Sequence, residues 1–253
     1  MLVQQTIQQL HDLHLFAMAQ AVSEQLERSD LGSLSFEERL GLIVDKEHLA
    51  RHQRRLKARL KKAQLKQSAC VEDVDYQHPR NLDRKVMQEL VTCRWIHHHQ
   101  NVIITGATGL GKSWLACALA DKTCREGFRA IYKQVQRLTF ELALARADGS
   151  YLRLLGQLAK VDLLVLDDWG LAPLEGQAQH DVLDVIDDRA GVHSTLVTSQ
   201  FPVDKWHDTV GDPTVADALL DRLVHTATKI HLKGPSMRGE KNAKQGKGKN
   251  AQN

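Results

Sequence analysis

The chain has 253 residues, of which 42% are hydrophobic, enough for a folded core and too many for a disordered protein. Its net charge is only +3, but residues 51–66 carry +8 and residues 233–253 carry +5, which leaves about −10 for the rest. Such local patches favour contact with a polyanion. The sequence has no run of eighteen apolar residues, no secretory signal pattern and no CxxC pair, so we expect no membrane contact and a cytoplasmic protein with reduced thiols.

The N-terminal part of the chain is predicted to be helical. Apolar residues at helical spacing predict one amphipathic helix over residues 1–28. The sequence SFEE at 35–38 is a capping box, and it predicts a long helix that reaches about residue 66. We therefore predict a helical N-terminal domain for DNA binding and assembly over residues 1–67, followed by a linker over residues 68–80.

The second predicted helix ends in the basic sequence RHQRRLKARLKKAQLK, residues 51–66, which contains no acidic and no aromatic residue. Proteins that bind single strands usually stack bases on aromatic side chains, so this composition favours contacts with the duplex backbone, without sequence readout. A solvated helix face or a dock for an acidic partner is the alternative. The predicted DNA contacts are Arg51, Arg54, Arg55, Lys57, Arg59, Lys61, Lys62 and Lys66.

From residue 81 onward, short apolar strands alternate with helices. This alternation predicts an α/β domain over residues 81–240, with a parallel five-stranded sheet and helices on both faces. Residues 241–253 are predicted to be a disordered basic tail. The predicted strands are 101–105, 129–135, 162–167, 194–199 and 228–232, and the predicted helices between them include 112–125, 137–147, 177–189 and 213–226.

The sequence GATGLGKS, residues 106–113, fits the phosphate-binding pattern GxxxxGK[ST], and it lies between a predicted strand and a predicted helix as that motif requires. Backbone N–H groups and the helix N-terminus would surround the phosphates. Lys112 would reach the β- and γ-phosphates and Ser113 would bind Mg²⁺, so ATP and Mg²⁺ are the predicted cofactors. The predicted nucleotide contacts are Gly106, Ala107, Thr108, Gly109, Leu110, Gly111, Lys112, Ser113 and Trp114.

Two acids follow the apolar strand in LLVLDDWG, residues 163–170, at the sheet edge where ligands of parallel sheets bind. We expect Asp167 to bond the water shell of Mg²⁺, which makes Ser113 and Asp167 the metal site. Asp168 is predicted to polarise the attacking water, and a solvated turn acid is the alternative. The DDWG sequence also fits the DxxG motif of GTPases, but their NKxD motif is absent from the chain.

A polar segment, TSQFP, follows the strand at 194–199. We predict that Gln200, with Ser199 as a second choice, touches the γ-phosphate or the attacking water; a turn at the strand end is the alternative.

The histidines at 97–99 precede a strand and have no nearby acid or cysteine to complete a metal site, so we expect an exposed helix end or turn there.

These motifs, together with the sequence DPTVADALLDRLVHTATKIHLKGPSMRG at 212–239, resemble the IstB-type helper ATPases of insertion sequences. Those are AAA+ proteins in the same clade as the helicase loader DnaC. The resemblance covers nearly the whole chain; its P-loop and paired acids are generic, and the 212–239 series is specific. It implies an AAA+ fold, and no C-terminal helical lid fits after Leu232.

The resemblance also implies roles for two arginines. Arg222 matches the arginine finger that reaches the γ-phosphate of a neighbouring subunit, and Arg238 matches the sensor-2 arginine. A guanidinium suits both roles because it makes permanent, bidentate contacts with phosphate. The alternatives are a salt bridge of Arg222 with Asp221 or Asp217, and membership of Arg238 in the basic tail.

Two residues depart from the usual AAA+ pattern. Asp168 stands where Glu is commoner, which predicts slow hydrolysis, and Gln200 stands where Asn is commoner. The predicted function is an ATP-dependent ATPase that forms a homo-oligomeric ring or spiral on duplex DNA and selects or remodels target DNA for a partner transposase. A replicative helicase loader and a non-enzymatic, ATP-binding DNA scaffold are the alternatives.

Overall fold

The structure, a computed structural model, describes residues 2–28 and 33–237. The chain divides into two compact units between Ala58 and Arg59, earlier than the predicted domain end at residue 67. The predicted tail over 241–253, the end of the predicted ATPase domain and Arg238 lie outside the described residues. No helix in the described ranges is long and apolar enough to cross a membrane.

The N-terminal unit contains helices α1 (Leu2–Asp12) and α2 (Phe16–Glu27) and most of α3 (Phe36–Ala63). The prediction of one helix over residues 1–28 was wrong, because the chain turns at His14, which has a φ of 58°. The buried Glu47 of α3 accepts hydrogen bonds from the backbone N–H groups of Ala17 (2.9 Å) and Met18 (3.2 Å). The Glu47 carboxylate thus caps the first turn of α2. Because Glu47 is distant in sequence, the periodicity of residues 1–28 does not predict this helix start.

The predicted capping box at the start of α3 is confirmed. The backbone N–H of Ser35 donates to the Glu38 carboxylate (2.8 Å), and the Glu38 N–H donates to the Ser35 hydroxyl (3.2 Å). The helix ends at Ala63 and not near residue 66, because Gln64 takes a left-handed backbone conformation with a φ of 50°.

The second unit is built on a parallel five-stranded sheet with helices. Its elements are α4 (Arg84–Val91), α5 (Arg94–His97), β1 (Val102–Gly106), α6 (Lys112–Arg125), β2 (Ala130–Gln134), α7 (Val135–Ala147), α8 (Tyr151–Ala159), β3 (Leu163–Trp169), α9 (Gln177–Asp187), β4 (Ser194–Ser199), α10 (Pro213–Val224) and β5 (Thr228–Leu232). The strand order is β2-β3-β4-β1-β5, and the parallel sheet confirms the predicted fold class. All five predicted strands are present, with ends shifted by at most two residues, whereas the short helices α4, α5 and α8 are not among the predicted elements.

The segment predicted as a linker, residues 68–80, is packed into the second unit. Val71 and Val74 are buried beside a single 3₁₀ turn, and Arg80 is 1% exposed. Lys233 donates its backbone N–H to the Arg80 carbonyl (3.1 Å), so the segment lies against the chain that follows β5. Residues 68–80 therefore belong to the body of the second unit.

A buried arginine joins α8, the turn before β3 and the start of β4, at the edge of the sheet where the strands begin. Arg189, which follows α9, donates to the carbonyls of Leu158 (2.6 Å), Val161 (2.9 Å) and Ser194, and to the hydroxyl of Thr195 (3.3 Å). It is 1% exposed, and burial lowers its pKa to about 10, so that it is still protonated at neutral pH.

Replacing this arginine by a residue of similar length without donors is expected to destabilise the fold. Arg189→Met should lower the free energy of unfolding by about 3 kcal/mol, because three buried carbonyls lose their donors. Urea unfolding followed by circular dichroism measures this change. The exposed Arg153 provides the control, since Arg153→Met should change stability by less than about 0.5 kcal/mol. Equal stability of the two variants would contradict the prediction.

Candidate nucleotide site

The P-loop lies between β1 and α6, at the carboxyl edge of the sheet. Helix α6 begins at Lys112, and Gly111 before it has a φ of 84°. A Cβ atom on Gly111 would lie 2.7 Å from Nη1 of Arg80, so both the backbone conformation and the space require glycine. The first N–H groups of a helix have no partner within the helix, so the start of α6 supplies the donors that anion binding at a P-loop requires.

The P-loop opens on a cavity of about 680 Å³, a size that suits a nucleotide. Six of the predicted nucleotide contacts line it, and so do Asp168 and Gln200. The predicted phosphate site and the predicted polar groups of β3 and β4 therefore face one cavity. Its lining residues are Lys66, Gln67, Asp73, Asp75, Arg80, Thr108, Gly109, Gly111, Lys112, Ser113, Trp114, Asp168, Leu171, Gln200 and Met237.

The polar residue after β4 reaches the P-loop. Gln200 accepts a hydrogen bond from the Thr108 hydroxyl through its side-chain oxygen (2.8 Å), and Lys112 donates to the Ala107 carbonyl (3.0 Å). Ser199, the second choice for this role, is buried, and its hydroxyl donates to the Trp169 carbonyl (2.8 Å). Of these two residues, Gln200 is the one that the fold brings to the cavity.

Asp167 is fully buried and accepts hydrogen bonds from four side chains. Its Oδ1 receives the hydroxyls of Ser113 (2.8 Å) and Thr198 (2.5 Å), and its Oδ2 receives the Tyr132 hydroxyl and the Lys66 ammonium (3.1 Å). A carboxylate offers about four lone-pair positions, so its accepting capacity is filled. These partners hold the carboxylate in one orientation, and two of them, Ser113 and Lys66, line the cavity.

The same partners keep Asp167 ionised. Burial acts to raise the pKa of Asp167, but the hydrogen bonds from Thr198, Tyr132 and Ser113 and the charge of Lys66 bring it below its ordinary value. Burial and the Asp167 carboxylate raise the pKa of the Tyr132 phenol, which therefore stays protonated and donates. Asp167 is thus a fixed negative charge at neutral pH.

Ser113 and Asp167 form a pair that fits Mg²⁺. The two oxygens are 2.8 Å apart, and hydroxyl and carboxylate oxygens are the hard ligands that Mg²⁺ prefers. These residues would hold the ion beside the phosphates.

In the part of the chain that the structure describes, no group of three or more His, Cys, Asp and Glu side chains suits another metal. His97 ends α5 and stacks edge-on against Phe128.

Asp168 has an unusual backbone. Its φ is 63°, and the pairing of β3 with β4 shifts register between Leu166 and Trp169. Its carboxylate accepts from the Gln134 side chain (3.2 Å) and lies 3.7 Å from the Lys66 ammonium. A left-handed aspartate in a strand is a strained conformation of the kind found at functional sites. The bulge turns the side chain of Asp168 toward the cavity, which its sequence position alone does not predict.

Two residues that line the cavity, Arg80 and Met237, are not among the predicted site residues. Arg80 donates to the Leu110 carbonyl of the P-loop (3.0 Å) and contacts the Met237 sulfur (3.2 Å). Met237 donates its backbone N–H to the Gly109 carbonyl (3.0 Å). Arg80 belongs to no motif, and its sequence signal, an arginine after a proline in a polar segment, is too common to identify it. Met237 lies in the 212–239 series, but that series indicates roles for its arginines and not for the methionine.

Arg222 lies away from the cavity of its own chain. It is in the last turn of α10, where its side chain pairs with Asp187 (2.5 Å) and its carbonyl accepts from Asn101, directly before β1. The P-loop follows the other end of this five-residue strand, about 15 Å away at about 3.3 Å per residue. The salt-bridge partner is Asp187, and neither of the two predicted aspartates.

The eight cations predicted to bind DNA differ in their surroundings. Within the N-terminal unit, Arg51 (2.8 Å) and Arg54 (3.2 Å) pair with Glu47. Within the second unit, Arg59 donates to the Cys124 carbonyl (2.9 Å) and Lys66 pairs with Asp167. Among the described residues, the structure shows no ion pair or hydrogen bond for four exposed side chains: Arg55, Lys57, Lys61 and Lys62.

A parallel sheet with this strand order, a P-loop after β1 and paired acids near the carboxyl end of β3 defines a P-loop nucleotide-binding protein of the AAA+ class. Comparison with known proteins agrees. Residues 8–245 match the model of the IstB-like ATP binding proteins, and the chain belongs to this family.

Its relatives are proteins of insertion sequences. An insertion-sequence ATP-binding protein of Sinorhizobium fredii (y4pL) is 49% identical over 94% of this chain and 97% of its own length. The IS1162 ATP-binding protein of Pseudomonas fluorescens is 50% identical over 80% of this chain and 88% of its own length. Among solved structures, DnaI is similar in fold, with a TM-score of 0.56 and 20% identity over 65% of this chain and 91% of its own.

Proposed function

We propose that this protein is an ATP-dependent, oligomerising ATPase that binds duplex DNA without sequence selectivity and helps a partner transposase to select or remodel target DNA. The observation that carries the proposal is the Ser113–Asp167 pair beside Asp168 and the P-loop, in a chain whose relatives are insertion-sequence proteins. Those relatives favour this role over that of a helicase loader, because the likeness to DnaI is a likeness of fold.

The chain's own residues support hydrolysis of a bound ATP. Lys112 and the P-loop N–H groups would bind the phosphates, and Ser113 and Asp167 would hold Mg²⁺, which supplies electrostatic stabilisation of the transferred group when bound. Asp168 would orient and polarise the attacking water, and Gln200 would contact the γ-phosphate or that water. The short carboxylate arm of Asp168 suggests slow turnover.

The position of Arg222 supports a role between subunits. The arginine lies at the amino end of β1, a strand length from the P-loop of its own chain, so it would reach a γ-phosphate only in a neighbouring subunit. An arginine supplied in this way stabilises the transition state and makes assembly depend on ATP. The ion pair with Asp187 would hold the guanidinium at the surface of α10 until that contact forms.

This coupling predicts that nucleotide controls DNA binding. Wild-type protein should bind a random duplex at least about tenfold more tightly with ATP than with ADP or without nucleotide. Arg222→Ala should lose this difference while it still binds ATP, because its own P-loop is intact. Mobility-shift titrations at fixed ionic strength measure the three affinities.

The control for this experiment uses the partner of Arg222. Asp187→Ala removes the ion pair but keeps the guanidinium, so it should retain the ATP dependence of DNA binding. Equal affinity of the wild-type protein in all three nucleotide states would contradict the coupling. Loss of the effect in both variants would show that the ion pair, and not a contact with a neighbouring subunit, is what matters.

A further inference from the structure

Lys66 is the last cation of the basic run, yet its side chain lies in the nucleotide site. Its ammonium is 3.1 Å from Oδ2 of Asp167 and 3.7 Å from Oδ2 of Asp168. The backbone of Lys66 and Gln67 contacts the Cys117 thiol of α6. This contact anchors the backbone of Lys66 beside the P-loop helix. Lys66 also lines the cavity together with Lys112.

The four donors to Asp167 differ in how easily they can leave. The Tyr132 and Thr198 hydroxyls are on buried strand residues, and Ser113 is itself the expected metal ligand. The Lys66 side chain is 43% exposed and is the flexible member of the set. Since all lone-pair positions of Asp167 are used, a hydrated Mg²⁺ at this carboxylate requires one donor to withdraw.

We propose that Lys66 is a positioning residue of the nucleotide site, whose ammonium balances the Asp167–Asp168 pair and competes with Mg²⁺ for the same carboxylates. The inference rests on the proposed function in that it takes Ser113 and Asp167 as the metal site. A cation at this position reduces repulsion between the carboxylates and a metal-free triphosphate, and it opposes binding of the metal-loaded nucleotide. Lys66 would therefore leave Asp167 when Mg²⁺ and nucleotide bind together.

The test measures how strongly Mg²⁺ promotes nucleotide binding. Full-length protein is titrated with AMPPCP by calorimetry, once with MgCl₂ and once with EDTA, and the ratio of the two affinities is compared between variants. Lys66→Met should raise this ratio about tenfold, within the usual range of coupling between two ligands. Lys66→Arg keeps the charge and should stay near the wild-type ratio, as should the control Lys160→Met on an exposed position.

Two results would overturn the inference. Unchanged affinities with and without Mg²⁺ in Lys66→Met would make Lys66 a bystander. An equal loss of both affinities, which leaves their ratio at the wild-type value, would make it a phosphate ligand. The experiment needs no DNA, transposase or turnover, so either result leaves the proposed function standing. Wild-type protein that fails to bind AMPPCP with Mg²⁺ would overturn both.

Discussion

Lys112→Ala is expected to abolish measurable phosphate release and to weaken ATP binding by about 100-fold or more. Lys112 is 7% exposed, begins α6 and lines the cavity, and its ammonium donates to the Ala107 carbonyl of the P-loop (3.0 Å). Removal of one preorganised charge from a phosphate site typically costs about 10² to 10³ in rate. A coupled assay of phosphate release and calorimetry with AMPPCP measure the two effects.

The control for this variant separates binding from chemistry. Asp168→Asn should still bind AMPPCP within about threefold of wild type but should lose hydrolysis, because the amide does not polarise water as a carboxylate does. If Lys112→Ala released phosphate at the wild-type rate, the P-loop assignment would be wrong. A protein that binds ATP but never hydrolyses it would be the scaffold considered as an alternative.

Replacing Arg55, Lys57, Lys61 and Lys62 together by alanine is expected to lower affinity for random duplex DNA by about 100-fold or more. These are the four exposed side chains of the basic run for which the described part of the chain shows no partner. Each phosphate contact that is lost should reduce the salt slope of binding by about 1, so the slope should fall by about 3 to 4 per subunit engaged. ATP binding should be unchanged.

The matched control removes charges of the same run that are already paired. Arg51 and Arg54 share the buried Glu47, so Arg51→Ala with Arg54→Ala should reduce the salt slope much less per charge removed. Equal slopes per charge for the two variants would mean that the run acts only through its total charge. Unchanged affinity in the quadruple variant would place the DNA contact elsewhere.

The sequence predicted those parts of the site that a short motif fixes. The P-loop, Asp167 and the five strands follow from local patterns, since a strand, a glycine-rich turn and a helix start are set by neighbouring residues. The place of Gln200 after a strand predicts a polar contact near the P-loop, and its side chain accepts a hydrogen bond from the Thr108 hydroxyl. These residues come together because parallel strands end at one edge of the sheet.

The parts that sequence could not predict depend on contacts between distant residues. Lys66 is assigned to the basic run by charge alone, yet the turn at Gln64 brings its ammonium to a carboxylate 101 positions away. The polar segment around Arg80 predicts a linker, but Arg80 is buried against Leu110 and Met237, which are distant in sequence. Helix α2 begins where Glu47 caps it, thirty residues further along the chain.

The two margins of the ATPase fold meet at the P-loop. Gly234 packs so closely that a Cβ atom there would lie 2.0 Å from the Pro79 carbonyl oxygen, while Arg80 and Met237 both contact the loop itself. The segment before α4 and the segment after β5 therefore pack against each other and both contact the P-loop. A shift of the loop would reach both segments directly, so a probe attached to either segment would register nucleotide occupancy, and would also disturb it.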